Sequence, residues 1–174
     1  MSSSDRDELA GRRLNKILGR YIDLDTVDAL LADTDIGKLA PRELCFVLIE
    51  LKAETPTALD ALVTSVCDIA ASHNAFIDSI ISHLVVVAFG FVERSPVSES
   101  SAFIEGTLAV LGENVRLVYA SGPGHVGNLG SGRRISFTFI HPAFSKALSA
   151  LGTLPFGSAR EVRPDQQLPT AGKS

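Results

Sequence analysis

The sequence predicts an α+β domain built on a ferredoxin-like split βαβ sheet that is extended by one extra hairpin. The main observation is the order of apolar patterns along the chain, which runs strand, helix, strand, strand, helix, strand, strand, helix. The second is size, because 174 residues, 45% of them hydrophobic, fit one compact domain and leave no room for two domains with cores of ordinary size. No internal repeat or low-complexity block competes with this interpretation. We expect the helices to lie mainly on one face.

The first half of the predicted domain contains its clearest strand and its clearest helix. Residues 44–51 form a continuous run rich in β-branched and aromatic side chains, which is typical of a strand buried on both faces. Over residues 58–73 apolar side chains recur every three or four positions, and Asn74 supplies a C-terminal stop. We therefore expect a central strand followed by an amphipathic helix.

The second half begins with a predicted hairpin. Two strand-like runs, 76–81 and 84–89, are separated only by Ser82 and His83, which is hairpin spacing and predicts antiparallel pairing. Five glycines punctuate residues 122–133, which favours a long, irregular connection. The other predicted elements are a helix over 99–111, strands over 115–121 and 134–140, and a helix that starts at Pro142.

The two ends of the chain are predicted to differ from the domain between them. Helical periodicity over 5–21 and 25–32 indicates two short packing helices. After residue 163 the chain is polar, contains proline and has no apolar period, which predicts a disordered tail. The predicted organisation is a helical lead-in over 1–20, a domain over 21–163 and a tail over 164–174.

Composition excludes several classes of function. A net charge of −4 and a pI of about 5.5 are the reverse of a nucleic-acid binder's basic footprint. The charged N-terminus does not fit a signal peptide, and the longest apolar run, 84–89, is too short to span a bilayer. We expect a soluble cytoplasmic protein without membrane insertion. Cys45 and Cys67 lack Cys-x-x-Cys spacing and are predicted to fill the core.

Several strings, in order, carry a resemblance to a known family. Residues 127–134, GNLGSGRR, are nearly Gly-Asn-Ile-Gly-Ser-x-x-Arg, and 137–140, FTFI, stand where Tyr-Thr-Val-Ile is customary. Residues 78–90 are similar to Asp-Lys-x-x-Gly-Asp-x-x-Met-Ala-Val-Phe-Gly, and 44–55 to a first strand that ends in Phe-x-Asp-Ile. Together with the lead-in over 20–33, they make the chain from about residue 21 to 162 resemble the class III adenylyl and guanylyl cyclase catalytic domain.

The resemblance implies a two-metal reaction in which a ribose hydroxyl attacks the α-phosphate. The family holds the two ions with one aspartate on the first strand and one in the hairpin turn, and these positions are Glu50 and His83 here. Glu50 keeps a carboxylate on a longer arm, while His83 offers nitrogen, which suits zinc or copper better than magnesium. The resemblance therefore implies a dismantled magnesium site. A new Glu50 and His83 metal site remains an alternative to a strand-end charge and a solvated turn residue.

The remaining functional positions of the family are also changed. Its base-reading lysine falls on Ser79, and the partner position falls on Pro142, which has no side-chain hydrogen-bonding group. The asparagine and arginine of its last helix fall on Ser145 and Ser149. Each lost donor or cation typically costs a factor of about 10² to 10³ in rate. We expect negligible turnover and no cofactor, with magnesium or manganese needed only if some cyclase activity survives.

Other polar residues leave alternatives open. Lys146 could bind phosphate or simply be solvated, and His125 and His141 could form a proton-linked switch or be ordinary surface histidines. In the resembling family the glycine-rich arm, which corresponds to residues 127–134 here, serves the dimer. This makes three arm residues interface candidates: Asn128, Arg133 and Arg134.

The sequence thus predicts a catalytically inactive cyclase homologue, a pseudo-cyclase, with a regulatory or protein-interaction role. The expected partner is a second copy of the chain, because the two-fold dimer of identical chains is the commonest oligomer. The alternative partner is another cyclase-type or signalling protein. Two alternatives stay open: a sensor module that still binds a nucleotide or another anion, and a weak or altered cyclase acting on ATP or GTP.

Overall fold

The computed structural model describes residues 39–91, 96–131 and 134–165, with the backbone alone described from 130 to 136 within those ranges. The helices predicted over 5–21 and 25–32 and nearly all of the predicted tail lie outside the described residues, so those predictions stay predictions. Within the described ranges the order of elements is β1 (Ala40–Leu51), α1 (Pro56–Ser72), β2 (Phe76–Ile81), β3 (Leu84–Phe89), α2 (Ser100–Leu111), β4 (Val115–Ser131), β5 (Arg134–Ile140), α3 (Phe144–Leu151) and β6 (Ser158–Glu161). The predicted order is confirmed, and β6 is an addition.

The strands form one sheet in the order β2-β3-β1-β4-β5, with β6 paired to β4. All of these pairings are antiparallel except that of β6 with β4. The predicted central strand is confirmed, because β1 lies between β3 and β4. The predicted hairpin is also confirmed, and β2 and β3 have the predicted bounds.

Side chains of β1 alternate between two cores, as the pleat of a strand requires. Cys45, Val47 and Ile49 join a core with residues of α1 and α2, whereas Phe46 and Leu48 join a core with residues of α3. Two of the three described helices therefore lie on one face, and α3 covers the other. Glu50 has the same parity as Leu48, which places it on the α3 face of the sheet.

The predicted irregular connection over 122–133 is wrong for most of its length. β4 continues in extended form to Ser131, and its second half pairs with β5, for example Asn128 with Phe137. Glycine permits this path where neighbours approach closely: a Cβ on Gly124 would lie 2.7 Å from the Ile140 carbonyl oxygen and 2.8 Å from Leu44 Cδ2. Gly124 therefore serves the close packing of β4 against β5 and Leu44.

One smaller difference concerns the last helix. The last helix begins at Phe144 and not at Pro142, because residues 142 and 143 form a turn before it. Among the described residues, no helix is both long enough and apolar enough to cross a membrane.

Candidate functional site

Glu50 lies near the end of β1, where three strands meet. It pairs with Leu84 of β3 on one side and with Arg116 of β4 on the other. The next residue, Leu51, donates its backbone N–H to the carbonyl oxygen of His83 at 2.8 Å. Strand register therefore brings Glu50 beside the turn that carries His83.

The carboxylate of Glu50 is bound by an arginine. Arg116 Nε lies 3.0 Å from Glu50 Oε2, and Arg116 Nη2 lies 2.8 Å from Glu50 Oε1. This forked arrangement is the strong geometry for an arginine and a carboxylate. The side chain of Arg116 is only 16% exposed and that of Glu50 31%. Solvent therefore screens this pair less than an ion pair on the open surface.

Arg116 is itself fixed by further contacts. Its Nη1 donates to the carbonyl oxygen of Leu154 at 2.8 Å, and its guanidinium carbon lies 4.7 Å from the centre of the Phe156 ring. Such a stack of a cation on an aromatic face adds to its stability. The guanidinium is therefore held by a carboxylate, a carbonyl and a ring. Sequence reasoning missed this residue, because its partner is 66 positions away along the chain.

His83 contributes to the site through its backbone. Its side chain is exposed, and its Nδ1 lies 3.0 Å from the hydroxyl of Ser82, which has a positive φ of 55° at the turn. No group of three or more histidine, cysteine, aspartate or glutamate side chains suited to a metal ion occurs among the described residues. Glu50 and His83 alone are too few to define a metal centre.

The other predicted positions lie on α3 and β2. Ser145 and Ser149 share the exposed side of α3, where the Ser149 hydroxyl donates to the Ser145 carbonyl oxygen at 3.0 Å. Pro142 is exposed in the turn before α3, and Ser79 is half-buried on β2 opposite Val86. No hydrogen bond within the described part of the chain joins these positions to Glu50.

A half-buried carboxyl, that of Asp78, lies next to Ser79. The pairing of β2 with β3 shifts register between Ile77 and Ser79, and Asp78 occupies that irregularity. Asp78 Oδ1 accepts a hydrogen bond of 2.6 Å from the hydroxyl of Thr138 on β5. Burial raises the pKa of Asp78, while the bond from Thr138 acts in the opposite direction. The signal available in the sequence was a charged residue inside a strand pattern.

Two expectations about single polar residues need correction. Lys146 is half-buried and donates to the carbonyl oxygen of Pro164, so it is not a freely solvated lysine. His141 is 4% exposed, not a surface residue, because its ring packs edge-on against Phe46 at 5.1 Å between centroids. His125 is exposed, as expected of a surface histidine.

Aromatic rings fill much of the sheet on the α3 face. Phe76 and Phe91 stack with centroids 4.4 Å apart, and Phe137 meets Phe91 edge-on at 5.5 Å. Phe46 stacks on Phe139 at 5.5 Å. Rings packed against one another in this way stabilise a core.

The glycine-rich arm is partly described. Asn128 is half-buried on β4, and Arg134 pairs through its backbone with Ser131. The side chain of Arg134 and all of Arg133 lie outside the description. Cys45 is fully buried as predicted, and Cys67 is half-buried.

Comparison with solved structures gives several neighbours at low sequence identity. The adenylyl cyclase CyaB from P. aeruginosa matches with a TM-score of 0.53 and 17% identity, over 70% of this chain and 77% of that one. The guanylate cyclase domain of RhGC from Catenaria anguillulae, solved in complex with GTP, matches with a TM-score of 0.57 and 16% identity, over 69% of this chain and 78% of that one.

A bacterial light-regulated adenylyl cyclase matches with a TM-score of 0.70 and 13% identity. That match covers 90% of this chain, which spans about half, 54%, of the other. This chain has the class III cyclase fold.

The likeness to the cyclases is one of fold. No protein-family model matches the sequence, and neither does any curated protein. The fold nevertheless confirms the predicted α+β architecture. Its strand register also places Glu50 beside the turn that carries His83, and the assignment of these two residues to the metal positions of the family stays a prediction.

Proposed function

We propose that this chain is a catalytically inactive cyclase homologue that acts by associating with another protein, in the simplest case a second copy of itself. One observation carries the proposal: the carboxylate at the first metal position, Glu50, is already bound in a fork by Arg116. The guanidinium supplies at this carboxylate the positive charge that a metal ion supplies in a working two-metal site.

A metal ion at Glu50 would compete with this ion pair for the carboxylate oxygens. A magnesium-class ion needs carboxylate lone pairs at close to octahedral geometry, and Arg116 engages both oxygens. Breaking the pair would also give up the bond from Arg116 to Leu154 and the stack on Phe156. His83, at the second position, offers an exposed imidazole, a ligand that magnesium disfavours.

The α3 positions also favour inactivity. A serine hydroxyl at Ser149 has no charge with which to stabilise a developing phosphate anion, and Ser145 offers a shorter reach than an amide. Pro142 has no side-chain donor with which to read a base. Because the metal, base and phosphate positions are all altered, restoring one of them would leave the others deficient.

The two-stranded arm supports association as the mode of action. Pairing of β1 with β4 ends at Val126, and within the described residues 127–131 pair only with β5. Leu129 on this ribbon is 37% exposed. A two-stranded ribbon is only marginally stable in water by itself, so a partner that covers the arm would stabilise it.

A product assay tests the loss of activity. The full chain is incubated with manganese and ATP or GTP, and cyclic nucleotide is separated by chromatography, with Glu50→Ala as the background. We expect equal traces from both proteins. Cyclic product that Glu50→Ala abolishes would overturn the proposal in favour of a weak cyclase. A thermal shift with nucleotide but no product would overturn it in favour of a sensor, since saturating ligand stabilises by RT ln(1 + [L]/Kd).

Sedimentation velocity tests association. The full chain is expected to sediment as a dimer at micromolar concentration, and Leu129→Ser is expected to shift it toward monomer. Val110→Ser is the matched control, because Val110 is 65% exposed on α2, away from the arm. A wild-type chain that stays monomeric over the whole range would contradict self-association, and equal effects of the two variants would exclude the arm.

A further inference from the structure

His141 occupies the corner between β5 and α3. The residue is 4% exposed, and its ring lies edge-on to Phe46 of β1. On the side of β4 it faces Gly122, where an added Cβ would lie 3.7 Å from His141 Nε2. The imidazole is therefore enclosed by the two central strands and by the start of α3.

One ring nitrogen of His141 holds the first turn of α3. The backbone N–H of Ala143, the N-cap residue of that helix, donates to His141 Nδ1 at 3.1 Å. A nitrogen that accepts a hydrogen bond carries no proton, so the neutral ring must carry its hydrogen on Nε2. Nε2 is buried and has no hydrogen-bond partner in the described part of the chain.

Protonation of the ring is incompatible with this arrangement. A proton on Nδ1 would turn the acceptor into a donor that faces the donor N–H of Ala143. It would also put a positive charge in an apolar enclosure beside the positive end of α3. Opening the corner would expose the ring to water and remove both conflicts.

The charged neighbours leave this conflict in place. Glu43 of β1 favours the protonated ring, but it is exposed. His125 of β4, opposite Ile140, is exposed as well, and Lys146 of α3 is bonded to Pro164. Burial outweighs Glu43 and lowers the pKa of His141.

We propose that His141 is a proton-sensitive latch that holds the first turn of α3 on the sheet and releases it on acidification. The exposed side of α3, with Ser145, Leu148 and Ser149, moves when the latch opens. Acidification would thereby alter the surface that this helix offers to a partner. The latch needs only the contacts of His141 with Ala143 and Phe46, whether or not the chain retains cyclase activity.

Amide hydrogen exchange in the full chain tests the latch. The readout is the protection factor of the Ala143 amide between about pH 7.5 and about pH 5, with each exchange rate divided by its intrinsic rate at the same pH. An opening that takes up one proton makes protection fall by at most about tenfold per pH unit. We expect such a fall at Ala143 but not at Val66 on α1, which reports on the other core.

Two variants assign the effect to the ring. In His141→Asn the amide oxygen can accept from Ala143 but cannot titrate, so protection is expected to become independent of pH. His125→Asn removes an exposed histidine and should keep the wild-type profile. Parallel loss of protection at Ala143 and Val66 would indicate global unfolding and overturn the proposal.

A second readout uses the wild-type protein alone, so it holds even if His141→Asn does not fold. Nitrogen shifts of the imidazole are expected to show the Nε2–H form at neutral pH, with the pKa of His141 below the ordinary value of a histidine. An Nδ1–H form, or a pKa of His141 at or above the ordinary histidine value, would overturn the latch.

Discussion

Glu50 and Arg116 lie directly opposite each other on β1 and β4, and their side chains meet in a forked ion pair on the α3 face of the sheet. Both charges interrupt stretches of strand, residues 44–51 of β1 and 115–120 of β4, that are otherwise mostly apolar. Opposite charges that face each other across a sheet stabilise the register, and either charge alone would be left poorly solvated. The pair therefore serves the fold at a position that the family resemblance assigns to a metal ligand.

Loss of the ion pair between Glu50 and Arg116 should lower the free energy of unfolding measurably. Arg116→Met keeps a long side chain but leaves the half-buried carboxylate of Glu50 without its partner. We expect the free energy of unfolding, measured in urea, to fall by about 2 kcal/mol, below the value for a fully buried pair because Glu50 is partly solvated.

Two controls distinguish the stability contribution of this pair from that of an exposed ion pair. Arg163 pairs with Glu161 at 3.6 Å, and the side chain of Arg163 is 76% exposed. Arg163→Met should therefore lower the free energy of unfolding by less than about 0.5 kcal/mol. The double variant Glu50→Gln with Arg116→Met should lose less than the two single changes together, because no unpaired charge remains. Equal effects of Arg116→Met and Arg163→Met would contradict a structural role.

Gly90 directly follows β3 and should not tolerate a side chain. Its φ is +84°, and an added Cβ would lie 2.3 Å from the carbonyl oxygen of Glu43. Gly90→Ala combines the cost of a left-handed residue with a backbone clash, so we expect a loss of more than about 2 kcal/mol in urea unfolding. Gly112→Ala is the matched control, because Gly112 also has a positive φ, +52°, but open space around it, so Gly112→Ala should lose less stability than Gly90→Ala. Similar losses at both sites would contradict the close approach at Gly90.

Asp78 predicts a pH-dependent difference in stability. Because burial raises the pKa of Asp78 above its ordinary 3.8, the folded state binds the proton more tightly than the unfolded state. Its contribution to stability is therefore complete below the unfolded pKa and lost as pH rises through the folded pKa. Asn stays neutral and can still accept from Thr138, so Asp78→Asn should be more stable than wild type at neutral pH, and this advantage should vanish in acid.

Urea unfolding at neutral pH and near pH 3.5 measures that difference. Asp68→Asn, on the exposed side of α1, serves as the control for removing a negative charge. An Asp78→Asn protein that is less stable than wild type at neutral pH would mean that the carboxylate is stabilised in the folded state.

The parts of the fold that the sequence predicted are those set by local patterns. The hairpin of β2 and β3 follows from two apolar runs and a two-residue spacer, and the run over 44–51 was long enough to indicate a central strand. The extension of β4 was missed because glycine is a turn signal by itself, whereas here pairing with β5 satisfies the backbone. β6 was missed because it has only four residues.

The site was predicted less completely for a related physical reason. The positions of Glu50 and His83 came from the family resemblance, but the partner of Glu50 depends on strand register between residues 66 positions apart. Burial of His141 depends on the same tertiary packing, since Phe46 and Gly122 reach it from two other strands. Neither contact leaves a local pattern in the sequence.

Manganese binding to the full chain tests the central claim most directly, with the free ion followed by its electron paramagnetic resonance signal. Because Arg116 holds both carboxylate oxygens, the wild-type protein should leave the ion free up to about 1 mM, a concentration at which even weak sites fill. Glu50→Gln should give the same titration. Saturable binding by the wild-type protein that Glu50→Gln abolishes would show that a metal ion displaces the guanidinium, and it would contradict the account.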